Sequence, residues 1–328
     1  MAYQCRVERD SVSPAGIRLT SFVISYPRVV IAEAATHRNT YDCTADGDVR
    51  ERTTTRDISK NSASSRAIPI KRMLAAARED PYVPEWTMHA PGMQGRDADD
   101  PHAISDATSV WLLARDEAVE RVEQMHFLGL SKQNCNRLLE PFVWVTQLVT
   151  SSAWENFFAL RCHESADPAI RKIARMMFLA RRASTPTPLA YGQWHIPFVP
   201  IEDQQKLEWY PRNTGDDIPD LLKFSAARCA WVSYGNAEGE GTPAKMLATW
   251  KRLTTASPPH ASPTEHQATP MLEATRQVMP EWRSNLDGWL QLRRLIRGET
   301  TRAYAPSDEE IASWGLTDLT TDTAGVQS

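Results

Sequence analysis

The stretch that decides the fold class is residues 17–26, Ile-Arg-Leu-Thr-Ser-Phe-Val-Ile-Ser-Tyr. Apolar and polar side chains alternate loosely along it, and this pattern predicts a β-strand. Pro27 follows at a point where a helix can begin, because its fixed backbone angle suits the first helical turn. Most other apolar patterns in the chain have helical spacing. We therefore predict an α/β (α+β) fold in which helices dominate.

The middle of the chain carries the clearest helical patterns. A long helix is predicted with Ser105 or Asp106 as its cap and an end before Gly129. Residues 142–158 form the most apolar stretch of the middle, and we predict a buried helix there. Further helix starts are predicted at Asp167, Asp217, Thr242 and Ser284.

The length of 328 residues allows a single large domain with a buried core. We assign residues 1–314 to that domain. Residues 39–58 are mostly polar, without apolar periodicity, and read as an insertion. Residues 315–328 are rich in Thr and Asp and are predicted to be a disordered tail.

Charge and composition exclude several classes of partner. The 37 basic and 41 acidic residues give a net charge of −4, so direct nucleic-acid binding is not expected. No run of 18 apolar residues is present, so we expect no membrane segment. The five cysteines are scattered and never spaced C-x-x-C, which favours a reduced, cytoplasmic compartment.

Familiar catalytic fingerprints are absent from the sequence. It contains no G-x-G-x-x-G after a strand, no P-loop, no G-x-S-x-G and no H-E-x-x-H. A Rossmann dehydrogenase and a P-loop kinase are therefore poor interpretations.

Residues 59–66, Ser-Lys-Asn-Ser-Ala-Ser-Ser-Arg, form the first polar cluster of interest. Hydroxyl groups and a terminal guanidinium suit a phosphate, because they donate hydrogen bonds and supply positive charge. The alternative is a serine-rich turn with a solvated arginine.

The second cluster lies in the apolar middle of the chain and contains Arg137, Asn156 and Arg161. An arginine among so many apolar residues requires a partner. That partner is either a neighbouring acid, Glu155 or Glu164, or an anionic ligand.

The third cluster is residues 260–266, His-Ala-Ser-Pro-Thr-Glu-His. Two histidines and a carboxylate could bind a metal, but a spacing of six suits neither a helix face nor a common zinc pattern. A capped turn is the better interpretation, and we predict no metal site.

Together these clusters resemble the motifs of the flavin-dependent thymidylate synthases. Thr36-His37-Arg38, an insertion and then residues 59–66 are similar to the family signature Arg-His-Arg, two residues, Ser-x-Asn-Glu-x-Ser-x-Arg. Residues 150–161 resemble a later family helix, and Arg137 resembles an arginine that precedes Leu-Pro. Residues 260–266 resemble His-x-Thr/Ser-Pro-x-Glu-His, which precedes the signature in the family. The chain thus resembles a circularly permuted, phage-type subgroup.

The sequence departs from the family motifs at several positions. Thr36 stands where the family has Arg, and Ser62 where it has Glu. In the later helix, Thr150 and Ser152 replace an Asn and an Arg.

The resemblance implies a central twisted sheet flanked by long helices and a one-carbon transfer to C5 of dUMP. Its cofactors would be FAD, NADPH and 5,10-methylenetetrahydrofolate. Arg161 would stabilise negative charge developing on the pyrimidine as the catalytic residue. The nucleotide phosphate would be held by Ser64, Ser65, Arg66 and Arg137. The FAD would be lined by His37, Arg38, Asn61, Asn156, His260, Ser262 and Glu265. The assembly would be a homotetramer with sites built across subunits.

Two other functions stay open at this point. A 5-hydroxymethylase acting on dUMP or dCMP would use the same folate chemistry, with water in place of hydride. A non-catalytic relative would bind nucleotide without flavin chemistry, because fold alone does not determine function.

Overall fold

The computed structural model describes residues 3–35, 42–43, 49–50, 58–91, 95–213, 215–232, 241–256, 259–279, 282, 284–298 and 307–313. The strands are β1 (Gln4–Val12), β2 (Arg18–Pro27), β3 (Asp42–Cys43), β4 (Val49–Arg50), β5 (Ile58–Ser62), β6 (Thr87–Met88), β7 (Arg96–Asp97), β8 (Trp144–Ser151), β9 (Thr187–Pro188), β10 (Ala268–Pro270) and β11 (Trp289–Gln291). The helices are α1 (Ile31–Ala35), α2 (Ile70–Glu79), α3 (Pro101–Phe127), α4 (Lys132–Cys135), α5 (Glu155–Arg161), α6 (Pro168–Ala183), α7 (Ile201–Lys206), α8 (Asp220–Trp231), α9 (Pro243–Thr254), α10 (Glu273–Val278) and α11 (Asp308–Ser313).

The centre of the molecule is a mixed five-stranded sheet with the order β5-β8-β2-β1-β9. Neighbours from β5 to β1 are antiparallel, and β9 pairs with β1 in parallel. The strand predicted at 17–26 is β2, at the middle of this sheet. The predicted α/β class with a central sheet is confirmed.

One face of the sheet packs against α5 and α6. Phe22, Ile24 and Tyr26 of β2 project into this core, where they meet Trp154 and Ile173. The predicted start of α6 is confirmed, since the Asp167 carboxylate accepts hydrogen bonds from the first amides of the helix. Burial of large aromatic and aliphatic side chains stabilises this layer.

The opposite face of the sheet is covered by later parts of the chain. Leu19 packs with Leu189 and Trp289, and Leu148 packs with Phe198 and with α8. Polar side chains also lie between these layers, and they are described with the candidate site.

The helix predicted over 142–158 is wrong in its first half. Residues Trp144–Ser151 form β8, which pairs with β2 and β5, and only Glu155–Arg161 is helical. A strand buried on both faces has no alternation of apolar and polar residues, so its period cannot be told from that of a buried helix.

Two other helix predictions also need correction. The long helix α3 begins at Pro101, and its cap is Asp100 rather than Ser105 or Asp106. The predicted end before Gly129 is confirmed, and that glycine has a φ of 82°. No helix begins at Ser284, because a turn leads from there into β11.

Parts of the predicted organisation lie outside the described residues. Within the insertion at 39–58, only β3, β4 and Ile58 are described, and the tail at 315–328 is not. Among the described helices, none combines the length and the apolar character needed to cross a bilayer.

Candidate functional site

A tight turn follows the end of β5 and carries the predicted phosphate-binding serines. The chain forms a 3-10 turn over Ser65–Ala67, with Ser64 as its extended first residue. The buried Arg28 side chain donates to the carbonyl oxygen of Ala63 at 2.7 Å. This contact fixes the point at which the turn leaves the sheet.

A second buried side chain holds the same turn from the other side. The Asn136 amide donates to the carbonyl oxygens of Ser65 at 2.7 Å and of Ile68 at 2.8 Å. Lys132 donates to the carbonyl oxygen of Ala67 at 3.2 Å. Donors of the protein thus satisfy the carbonyl oxygens of Ser65, Ala67 and Ile68.

These contacts bring two predicted phosphate ligands onto neighbouring turns. Arg66 follows Ser65, and Arg137 follows Asn136, so the hydrogen bond between Ser65 and Asn136 joins their two segments. Both arginines are exposed, and Ser65 is buried. Within the described ranges, no carboxylate pairs with either guanidinium. We call Arg66 and Arg137 the two-arginine surface.

Arg161 occupies the last turn of α5 and is half-buried. The helix is anchored by an aromatic cluster in which the Trp154 ring centroid lies 5.5 Å from that of Phe157. Of the acids weighed as partners for Arg161, Glu155 pairs with Arg181 at 3.3 Å. Arg161 itself makes polar contacts, and its role stays a prediction.

Asn156, a predicted flavin contact, lies on the same helix as Arg161. It is half-buried in the first turn of α5 and, like Arg161, makes polar contacts.

The two-arginine surface and α5 are joined to opposite ends of β8. In the register of β5 with β8, Ser62 faces Gln147 and Ile58 faces Ser151. Arg66 follows the end of β5 beside the start of β8, whereas α5 follows the end of β8. From there α5 packs on the face of the sheet, where Phe157 joins the core.

Two segments predicted to bind flavin converge although they are about 200 residues apart in sequence. The Gln291 amide donates to the Ser59 hydroxyl at 3.0 Å and to the carbonyl oxygen of Glu265 at 2.7 Å. It thereby links β5, which carries Asn61, to the 3-10 turn Ser262–Thr264.

The individual side chains of these segments differ in their surroundings. Asn61 donates its amide to the carbonyl oxygen of Cys229 at the end of α8. Glu265 forms an ion pair with Arg293, while His260 and Ser262 are exposed. His37 and Arg38 lie outside the described residues.

A chain of buried side chains runs across the strands beside these segments, and of its members only His266 was singled out in the sequence. Ser11 bonds His195 at 2.9 Å, His195 bonds Ser21 at 2.8 Å, Ser21 bonds Thr150 at 2.6 Å, and Thr150 bonds His266 at 2.8 Å. All five are fully buried. We call these five residues the buried relay.

Both imidazoles of the buried relay are held neutral. Burial lowers the pKa of His266 to about 3. Burial, followed by the charge of Arg9 and the proximity of His266, lowers the pKa of His195 well below its ordinary value. At neutral pH each ring therefore has one N–H donor and one acceptor nitrogen.

The sequence held only faint signals for these missed residues. Ser21 and Thr150 stand at polar positions in otherwise apolar strands, and Asn136 directly precedes an arginine already singled out. These polar positions become informative only when the strand register is known, because the register pairs Ser21 with Thr150.

The chain is similar to solved structures at low sequence identity. No protein-family model matches the chain, and no curated protein sequence matches it. The chain is similar to a solved structure of the UMP/dUMP methylase PolB from Streptomyces cacaoi bound with 5-Br UMP. The identity is 14%, the TM-score is 0.40, and 55% of this chain and 88% of that chain are covered. For a structure of the same methylase bound with 5-Br dUMP, the identity is 12% and the TM-score is 0.38, and 55% of this chain and 90% of that chain are covered.

Proposed function

We propose that this protein transfers a one-carbon unit to C5 of a deoxypyrimidine monophosphate, with dUMP as substrate and dTMP as product. The proposal combines the sequence motifs that resemble the flavin-dependent thymidylate synthases with the geometry of the two-arginine surface. The observation that carries it is the hydrogen bond from Asn136 to the Ser65 carbonyl, which brings Arg66 and Arg137 onto adjacent turns.

A phosphate monoester suits the two-arginine surface for physical reasons. Two guanidinium groups without carboxylate partners among the described residues leave a local excess of positive charge. Hydrogen bonds between arginine and phosphate are charge-assisted and often bidentate, so they are stronger than neutral ones. The hydroxyl groups of Ser64 and Ser65 add donors on the same turn.

Arg161 has the chemical properties needed at the pyrimidine. Transfer to C5 requires that carbon to become nucleophilic, and negative charge then develops on the ring. A guanidinium beside the ring stabilises that charge, and the effect is larger where water is excluded. The aromatic cluster of Trp154, Phe157 and Phe158 supplies such an apolar setting for α5.

The polar residues near Gln291 fit a flavin. Asn61, Ser262 and Glu265 lie on segments that Gln291 links, and the neighbouring His266 has a buried Nε2 atom with no hydrogen-bond partner in the described structure. FAD would be held there by Asn61, Ser262, Glu265 and His260, and the resemblance adds Asn156 of α5. When bound and reduced by NADPH, FAD supplies the hydride, and 5,10-methylenetetrahydrofolate supplies the carbon.

The resemblance to the flavin-dependent thymidylate synthases favours a site shared between chains. A second copy would then bring its Arg161 to the nucleotide that the first holds at the two-arginine surface. We therefore propose that the protein works as a homotetramer with inter-subunit sites.

Release of tritium from dUMP labelled at C5 tests this function. The purified protein should release tritium only when FAD, NADPH and 5,10-methylenetetrahydrofolate are all present. Release that continues without FAD would contradict the flavin-dependent reaction. No release from dUMP, together with no binding of dUMP by calorimetry, would contradict the proposal altogether.

A further inference from the structure

The buried relay contains two imidazoles separated by two hydroxyl groups, with a third hydroxyl at its far end. Its members come from β1, β2, β8 and the segments around His195 and His266. All four contacts have hydrogen-bond length, and each member is fully buried, so water cannot substitute for a missing partner.

The number of protons restricts how this chain can be arranged. Each serine or threonine hydroxyl has one proton to donate, and each neutral imidazole has one N–H. If Ser21 accepted from both His195 and Thr150, its own proton would be left buried without an acceptor, which is costly. Donation must therefore pass along the chain in one direction.

Only two arrangements meet this condition. In the first, Ser11 donates to His195 Nδ1, and donation continues through Ser21 and Thr150 to His266 Nδ1. In the second, donation runs from His266 Nδ1 back to Ser11. Both histidines carry their proton on Nε2 in the first arrangement, and both carry it on Nδ1 in the second.

The ends of the chain leave equal numbers of groups unpaired in the two arrangements. The Ser11 hydroxyl has His195 as its hydrogen-bond partner in the described structure. The first arrangement leaves the His266 Nε2–H without an acceptor and the Ser11 oxygen without a donor, and the second leaves the Ser11 proton without an acceptor and His266 Nε2 without a donor. The geometry therefore requires that both rings carry their proton on the same type of nitrogen.

We infer that Ser21 and Thr150 are positioning residues that couple the tautomers of His195 and His266, so that both rings carry their proton on Nε2 or both carry it on Nδ1. The two histidines change tautomer together or not at all. This inference concerns the protein without cofactor and stands whether or not the flavin proposal holds.

Nitrogen-15 NMR of the histidine rings tests the inference with the buried relay intact. The protein is labelled at its histidine nitrogens, and the signals of His195 and His266 are assigned by replacing each remaining histidine with glutamine. At neutral pH both rings should show the same pattern, either Nε2–H or Nδ1–H. Opposite tautomers at the two rings would overturn the inference.

Variants then test whether the buried relay itself couples the two tautomers. Ser21→Ala interrupts the chain, and we expect a second tautomer to appear at His266. Ser25→Ala is the matched control, because Ser25 and Thr146 form a hydroxyl pair at 2.8 Å on the same two strands, away from both histidines. The control should leave both spectra unchanged.

Two substitutions of Thr150 provide the same test if Ser21→Ala fails to fold. Thr150→Ser retains the hydroxyl and should retain the shared tautomer, whereas Thr150→Val removes the hydroxyl and should uncouple His266 from His195. An unchanged His266 spectrum in a folded Ser21→Ala or Thr150→Val protein would contradict the inference.

Discussion

The side-chain amide of Asn136 donates a hydrogen bond to the main-chain carbonyl oxygen of Ser65 at 2.7 Å. Asn136 is fully buried, and each of the two residues is followed directly by an exposed arginine. This buried hydrogen bond thus joins the two turns that carry the exposed arginines. The proposed phosphate site depends on this relationship, because the bond is one of the contacts that hold the two turns together.

The two-arginine surface should dominate the affinity for the nucleotide phosphate. We expect Arg66→Ala or Arg137→Ala to weaken dUMP binding by about 10- to 100-fold, because a charge-assisted hydrogen bond contributes roughly 1.5–3 kcal/mol. Calorimetry with dUMP and with deoxyuridine measures this. Only dUMP binding should weaken, because deoxyuridine has no phosphate.

A matched control for these variants is Arg78→Ala on α2. Arg78 is exposed and pairs with Glu123 at 2.7 Å, so its removal should leave dUMP affinity unchanged. Equal losses of affinity in Arg66→Ala and Arg78→Ala would rule out a specific role for Arg66.

Removal of the Asn136 amide should affect both stability and binding. Asn136→Ala leaves buried carbonyl groups with fewer donors, so we expect a loss of about 1–3 kcal/mol in the free energy of unfolding. The affinity for dUMP should fall as well, because the turns that carry Arg66 and Arg137 lose hydrogen bonds that hold them together. Urea denaturation and calorimetry measure the two effects.

Asn134→Ala provides the comparison for this variant, since Asn134 is exposed on α4, two residues away. It should change neither quantity appreciably. If Asn136→Ala lowered stability but bound dUMP like the parent protein, the arrangement of the arginines would not depend on Asn136.

Arg161 should affect the chemical step more than the fold. Arg161→Ala is expected to lower kcat by about 10²–10³-fold, because that is the usual cost of removing a donor that stabilises developing charge. Circular dichroism and FAD absorbance should stay as in the parent protein. Near-normal turnover in Arg161→Ala would disprove the catalytic assignment.

Acid should destabilise the protein through the two buried histidines. Burial lowers the pKa of His266 to about 3 and that of His195 well below its usual range, so the unfolded chain binds more protons below pH 6.5. Stability should therefore fall as pH decreases from 6.5 toward 3 through His266, with a slope approaching about 1.4 kcal/mol per pH unit, and His195 should act in the same direction.

Urea denaturation at several pH values tests this dependence. His266→Gln should show a shallower fall of stability with acid than the parent protein, while the exposed His89→Gln should not. The same slope in all three proteins would mean that other groups cause the acid sensitivity.

Elements of the fold that have a local sequence pattern were predictable, and elements without one were not. The strand at 17–26 and the helix after Asp167 were predicted, because alternation and an Asp-Pro cap are local patterns. Residues 144–151 were predicted as helix because a strand buried on both faces has no alternation to display.

The candidate site was predictable only as separate segments. Resemblance to known motifs singled out Arg66, Arg137 and Arg161, but their spatial relation depends on strand register and on Asn136. The buried relay joins residues from 11 to 266, and no local pattern reports such a contact. Non-local hydrogen bonds become visible only when the strands are paired.

The mass of the nucleotide product tests the central proposal most directly. The protein is incubated with FAD, NADPH, 5,10-methylenetetrahydrofolate and either dUMP or dCMP, and the nucleotides are then analysed by mass spectrometry. We expect dUMP to gain the mass of a CH₂ unit, the change from hydrogen to methyl at C5. A gain of CH₂O would instead indicate a hydroxymethylase, and unchanged masses for both nucleotides would contradict one-carbon transfer by this protein.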